Sequence, residues 1–284
     1  GVDKDGAQKK YRINYKPSLF VPVGKETKYK TLDGRYVERI KFDSMPEATK
    51  WVNEYKNVTN FEYFGNTRHQ YPFIADEFKG KIDWDMNQIK LLTIDIECES
   101  ENGFPSPEKA DQPLICITVK DHTTKRIIVF GMGNFVNDRD DVQYINCVTE
   151  TGLVETFTKF WVEYNPDIIT GWNVKFFDIP YLMNRFRYLM GDEWLNQFSP
   201  WGVVEQKSAS VLFASREQQV WNIMGVDTLD YLDLYRKFTF VRRESYKLDY
   251  IGEVELGQNK LDNPYDTFKE FYSNDYQRFV EYNI

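Results

Sequence analysis

LLTIDIECES, residues 91–100, decides how the chain is read. Its apolar and β-branched run predicts a strand over 91–97. Side chains alternate across a strand, so Asp95 and Glu97 project from the same face at its end. Two carboxylates on one face repel, and burying both is costly unless a cation neutralises them. Hard divalent ions such as Mg2+ take oxygen ligands of this kind. An isolated Asp-x-Glu is a weak signal and more often reflects a plainer picture, in which the strand end reaches solvent and carries two ordinary surface acids.

Downstream of this strand, further strands are expected over 114–119, 126–130 and 142–148. A helix follows over 150–164, where Leu153, Val154, Phe157, Phe160 and Trp161 recur on one face. Next come a strand over 167–170, a helix over 180–190, a hairpin over 210–224 and a strand over 226–229. Helices over 231–238, 247–255 and from 274 onward close the chain. Strands first, then strands alternating with helices, predict an α/β fold with a mixed sheet flanked by helices. Upstream, residues 11–42 alternate short apolar runs with turn signals such as Asp33-Gly34, which predicts a small antiparallel sheet. Ser44 then caps a helix over 46–55 with Pro46 in its first turn. This makes a small α+β domain whose opening residues look like the far side of a hairpin, so it is expected to be incomplete at its start.

Charge marks the boundary between the two parts. The net charge is −8, with 36 Lys and Arg against 44 Asp and Glu. Residues 1–90 carry +4 and residues 91–284 carry −12, which supports domains over 1–89 and 90–284. An acidic domain still acts on a polyanion if divalent metals on its carboxylates invert the local field. At 284 residues, 42% hydrophobic and 17% aromatic, the chain is not a disordered one. Its apolar runs are far shorter than the roughly 18 residues of a membrane span. The opening GVDKDGAQKK has neither a Met nor a signal-peptide pattern and reads as the start of an excised piece. Cys98, Cys116 and Cys147 show no CxxC spacing, which fits a reducing compartment rather than a disulfide framework or a zinc site.

A second constellation is ITGWNVKFFDIPYL, residues 169–182. Here a short strand ends at Gly171, and Asp178 opens a helix just before Pro180. Asp178 suits a helix N-cap. It equally suits a functional carboxylate at the mouth of a strand-loop-helix turn, where open sheets place ligands. The third is the final helix, NDYQRFVEYNI, residues 274–284. Tyr276, Phe279 and Val280 form its buried stripe, and Tyr282 alone reads as a half-buried helix residue.

In this order, Asp95-Ile96-Glu97, Asn173 with Phe177-Asp178, and Tyr282 resemble the three-motif set of the proofreading exonuclease of family B DNA polymerases. YKPSLF (15–20), GWNVKFFDIPY (171–181), LDYLDLYRKF (229–238) and QRFVEYNI (277–284) are similar to the polymerases of T-even-like bacteriophages. The resemblance spans nearly the whole chain. It implies a ribonuclease-H-like exonuclease domain preceded by part of the amino-terminal polymerase domain. The implied reaction is hydrolysis of the 3′-terminal phosphodiester of single-stranded DNA, releasing nucleoside monophosphates. Asp95, Glu97 and Asp178 would hold two Mg2+ or Mn2+ ions, and Tyr282 would orient the attacking water. His69 and His122 are the only histidines and neither lies near the third motif, so the family branch with His in place of that Tyr does not apply.

The resemblance also implies that Phe104 packs against terminal bases, that Asn173 and Phe177 meet the strand, and that Lys260 lies near the cleavage point. Each has a plainer alternative: a loop ring covering the core edge, a turn-stabilising Asn, a solvated Lys. The 210–224 hairpin resembles an element that separates primer from template. The implied partners are a single-stranded DNA 3′ end, the remaining polymerase domains and, through parts outside this sequence, a sliding clamp; the setting is the host bacterial cytoplasm, with no membrane. In one respect the sequence departs from the family: the third motif is Tyr, three residues, then Asp, and Ile284 falls two residues short of that Asp. Weakened binding of the nucleophile-side metal and low or no nuclease activity are therefore expected of these 284 residues. There is no Asp-Thr-Asp polymerase motif, so synthesis is not expected. The alternative function is a catalytically silent DNA-binding or scaffold piece of the polymerase.

Overall fold

Short apolar runs separated by turn residues become an antiparallel sheet near the start of the chain. Strands β1 (Ser18–Pro22), β2 (Tyr29–Lys30) and β3 (Tyr36–Lys41) pair in the order β1-β3-β2. Helix α1 (Met45–Tyr55) begins where the sequence places it, with the Ser44 hydroxyl accepting from the Glu47 N–H at 3.3 Å. Leu19, Phe42 and Ala48 form a small core, and Trp51 packs its ring against Phe42, Tyr55, Phe61 and Tyr63. Helix α2 (Gln70–Glu77) was not legible in the sequence, since it has no side-chain cap and no buried residue. In this computed structural model residues 11–81, 85–101, 103–211, 217–259 and 261–284 are described. The chain divides into two units, Gly1–Gln88 and Ile89–Ile284.

The second unit is built on β4 (Leu91–Cys98). Strands β5 (Leu114–Asp121), β6 (Ile127–Gly131) and β7 (Val142–Asn146) lead to helix α3 (Glu150–Tyr164), which Thr149 caps. Strand β8 (Ile168–Gly171) precedes helices α4 (Asp178–Met190) and α5 (Asp192–Leu195). A hairpin of β9 (Val204–Ser210) and β10 (Glu217–Ile223) follows, then β11 (Asp227–Asp230) and helices α6 (Tyr231–Phe238) and α7 (Leu248–Leu256). Helices α8 (Phe268–Asn274) and α9 (Tyr276–Asn283) come last. The six-stranded mixed sheet runs β11-β8-β4-β5-β6-β7, with β4 parallel to β8 and β8 to β11. The carboxyl ends of these three strands therefore lie at one end of the sheet, where open α/β sheets receive ligands.

Helices cover both faces, as the mixed α/β expectation requires. Leu92, Ile94 and Ile96 bury against Phe157 and Trp161 of α3 and Leu182 of α4. Phe157 is fully buried and in ring contact with Phe130, Phe160, Trp161, Phe186 and Phe198, so truncating it to Ala costs about 3–5 kcal/mol. On the other face, Ile127, Val129 and Val142 meet Phe271, Phe279 and Val280 of α8 and α9. The β4–β5 register steps between Glu97 and Cys98. The step puts two successive residues, Ile115 and Cys116, into the α8–α9 layer, while Leu114 and Ile117 face the other core. Bulges of this kind cluster beside functional sites because they re-aim side chains. Among the described residues, no helix is long and apolar enough to cross a membrane.

Three expectations need correction. The hairpin begins at Val204, six residues before the expected 210, because its first arm is polar and exposed and shows no apolar period. Helix α8 was missed, although Thr267 and Glu270 form a reciprocal capping box at its start. Asp178 is not the N-cap of α4: Phe177 holds that position, and the Asp178 carboxylate turns away from its own helix toward β4.

Candidate active site

Asp95 and Glu97 stand on the β4 face opposite the α3–α4 core, with Asp95 exposed and Glu97 half-buried. Asp178 is 4% exposed, and its Oδ1 accepts the Ile96 N–H at 3.2 Å. This bond ties the first residue of α4 to the backbone between the two strand acids. Burial first, then the charge of Asp95, then that of Glu97, pushes the Asp178 carboxyl well above its ordinary value, against the lowering effect of backbone N–H groups. Three acids thus converge on one strand end and repel each other there.

This donor set suits a hard divalent cation, since it is all oxygen, like-charged and partly buried. The neighbouring Cys98 and Cys116 thiols are pushed up to about 12 by burial. Among the described residues no group of three His, Cys, Asp or Glu stands assembled as a metal cluster, so binding would draw the carboxylates closer.

Helix α4 also holds the loop that carries Phe104. Its Asn184 side chain donates to Pro107 O at 2.7 Å, Tyr181 OH to Gln112 O at 2.6 Å, and Arg185 to Ala110 O at 3.1 Å. Arg185, 5% exposed, forms a two-pronged pair with Glu150, which in turn accepts the Leu114 N–H at 2.7 Å. Phe104 is 85% exposed and stands 5.4 Å, ring to ring, from Phe177, the residue before Asp178. An exposed ring set against a half-buried one beside acids can stack bases.

Asn173 takes the left-handed conformation, φ 65°, in the loop leaving β8. Its N–H donates to Asp230 Oδ1 at 3.1 Å, and the Lys175 N–H to Asp230 Oδ2 at 3.0 Å. Asp230 also caps α6 by accepting the Leu232 N–H at 2.9 Å. It organises the loop before Asp178 and was not singled out from the sequence, although an Asp closing a strand just before a helix is a capping signal.

Tyr282 packs with Phe268 and Phe271 in the cluster that contains Cys116, the residue paired with Glu97. Helix α9 is anchored by Tyr276, whose hydroxyl accepts the Met132 N–H at 2.9 Å and the Tyr144 O–H at 3.1 Å. A Cβ at Gly133 would lie 2.6 Å from the Tyr276 ring, so only glycine admits it. The structure therefore brings Asp95, Glu97 and Asp178 together, joins Phe104 to Phe177, and puts Tyr282 in the layer on the carboxylate face. Lys260 lies outside the described residues.

The sequence matches the model of the DNA polymerase family B exonuclease domain over residues 47–251, a span that contains the three acids and Asn173 but not Tyr282. It is 31% identical to the DNA-directed DNA polymerase of Escherichia phage RB69 and 29% identical to that of Enterobacteria phage T4, each along 100% of this chain. The DNA polymerase delta catalytic subunit of Candida albicans is 31% identical over 62% of this chain. The chain spans 34% of the length of either phage polymerase. With most of its length matched and its mixed sheet of the ribonuclease-H-like kind, the chain belongs to the exonuclease-domain family of the family B DNA polymerases.

Proposed function

We propose that this chain carries a 3′–5′ proofreading exonuclease that hydrolyses the terminal phosphodiester of single-stranded DNA within a replicative polymerase. The observation that carries the proposal is the buried Asp178 carboxylate, hydrogen-bonded between Asp95 and Glu97 in a chain of this family. These three residues would hold two Mg2+ or Mn2+ ions. Bound there, the cations supply Lewis acidity, lowering the pKa of a water and offsetting charge on the departing 3′ oxygen.

The chain's own residues do the rest. Asp178 and Asp95 concentrate negative charge that a proton or a bound cation relieves, and Ile96 N–H fixes the direction of one carboxylate. Phe104 and Phe177 stack the terminal bases, Asn173 meets the strand, and Lys260 would serve the phosphate that is cut. Tyr282, held by the α9 anchor, directs the attacking water through its hydroxyl. Residues 1–89 contribute part of the amino-terminal polymerase domain and residues 90–284 the exonuclease domain. The remaining polymerase domains, and any sliding clamp, would meet the chain in the longer protein.

The test uses a 5′-labelled single-stranded oligonucleotide with Mg2+, beside melting curves with and without Mn2+. Expected are a Mn2+-dependent rise in melting temperature and at most slow stepwise shortening, both absent in Asp95→Ala. DNA binding indifferent to metal and to Asp95, with no shortening, would overturn the proposal in favour of a silent DNA-binding piece.

A further inference from the structure

The chain has a net charge of −8, yet RKFTFVRRESYK, residues 236–247, carries five Lys and Arg against one Glu. This segment links the last turn of α6 to the start of α7. Phe240 is 98% exposed and Phe238 65%, two residues apart and flanked by cations on both sides. Scattered exposed rings need no explanation. Exposed rings interleaved with cations are the pattern by which single strands are held, with bases stacked on rings and phosphates on Lys and Arg.

The segment is fixed to the candidate active site. Trp172, next to Gly171 at the end of β8, lies 6.1 Å from the Tyr231 ring and 5.8 Å from the Tyr235 ring of α6. Its indole N–H donates to Tyr246 O at 3.1 Å, so the 239–246 loop leaves α6 and returns to Trp172. The Arg236 guanidinium lies 4.5 Å from the centre of the Tyr246 ring, and Arg243 is held by Glu255 and by the Tyr235 hydroxyl. Strand β8 is the direct neighbour of β4, and a Cβ at Gly171 would lie 2.6 Å from the Ile94 carbonyl, one residue before Asp95. The basic, aromatic loop is therefore tied at Tyr246, through Trp172, to the strand beside the one that carries the carboxylates.

We propose that residues 236–247 form a binding track for a single-stranded polynucleotide, with Phe238 and Phe240 stacking bases and Lys237, Arg242 and Lys247 meeting phosphates. The track would take nucleotides upstream of the 3′ end, and for that end's position it rests on the exonuclease proposal. Stacking and phosphate pairing fit DNA and RNA alike.

The test is fluorescence anisotropy of labelled 12-mers, oligo(dT) and oligo(U), with the full chain in EDTA at several salt concentrations. Phe240→Ala should weaken binding about 5- to 150-fold. The double variant Arg242→Gln/Lys247→Gln should reduce the slope of log affinity against log salt by about 1.4, two phosphates at ~0.7 each. Melting temperatures should be unchanged, because these side chains are exposed. Loss with either polymer supports the track and identifies its strand. Wild-type affinity in the variants, or no binding of either 12-mer by the wild type, overturns it and leaves the strip to a protein contact. The Mn2+-dependent rise in melting temperature, removed by Asp95→Ala, reports separately on the exonuclease proposal. If that rise is absent while the variants still bind weakly, the track stands and the exonuclease proposal falls.

Discussion

Two aspartates in this molecule are equally hidden, Asp178 and Asp230 at 4% exposure each, and they are used in opposite ways. Asp230 closes β11 and accepts three backbone N–H groups, from Asn173, Lys175 and Leu232. Burial and, to a lesser degree, the charge of Asp233 raise its carboxyl pKa, and those donors work against the rise. Asp178 opens α4, accepts the N–H of Ile96, and faces the charges of Asp95 and Glu97. Burial alone therefore does not mark a functional acid. The difference lies in what surrounds it: donors that satisfy the charge make a structural post, and further acids make an excess of negative charge that a cation would offset.

The contrast breaks most sharply at Asp178. Mn2+ at about 100 times its dissociation constant adds about 2.7 kcal/mol to a protein that binds it only when folded. Asp178→Asn is expected to remove that increment and, by relieving repulsion, to raise the melting temperature of the metal-free protein; scanning calorimetry with and without Mn2+ checks both. A metal-free Asp178→Asn protein that melts lower than wild type would mean that the acids do not repel as described.

Asp230→Ala should do the reverse. Each N–H group left buried and unmet costs about 1–3 kcal/mol in a denaturant titration, while the Mn2+ increment survives in whatever fraction remains folded. A lost increment with unchanged stability would make Asp230 part of the metal site.

The smallest effect is in pH. Both carboxyls are raised, so the folded state binds these protons more tightly than the unfolded chain does. That stabilisation is present below the unfolded value of about 3.9 and is lost as pH rises through the folded values. The difference in melting temperature between Asp178→Asn and metal-free wild type should therefore grow from pH 5 to pH 8. For Asp230→Asn the same trend should be shallower. Parallel curves for the two variants would erase the distinction between them.

The strands of the second unit, helix α3 and the cap of α1 were legible because apolar spacing and capping residues are local signals. Helix α2 and the first arm of the hairpin were not, since neither carries an apolar stripe. Within the candidate site, Asp95 and Glu97 could be put on one face by strand alternation alone. The direction of Asp178 could not: its residue type and its Pro180 neighbour suit an N-cap, and only the approach of β4 turns its carboxylate to Ile96. The anchoring contacts of Arg185 with Glu150, of Tyr276 with Met132 and of Asp230 with Asn173 were not legible for the same reason, because these partners lie 35 to 144 residues apart.

By itself the sequence determined the alternating pattern of β4, the mixed strand-and-helix order, the charge break near residue 90 and the ordered motifs that mark the family, because each depends on neighbours along the chain. Tertiary structure alone decided which acids share a strand end, which of the two hidden aspartates is satisfied and which is not, and that a basic loop returns to Trp172 beside them. Charge repulsion, burial and hydrogen-bond satisfaction depend on distance in space, and the sheet brings together strands that the sequence keeps far apart.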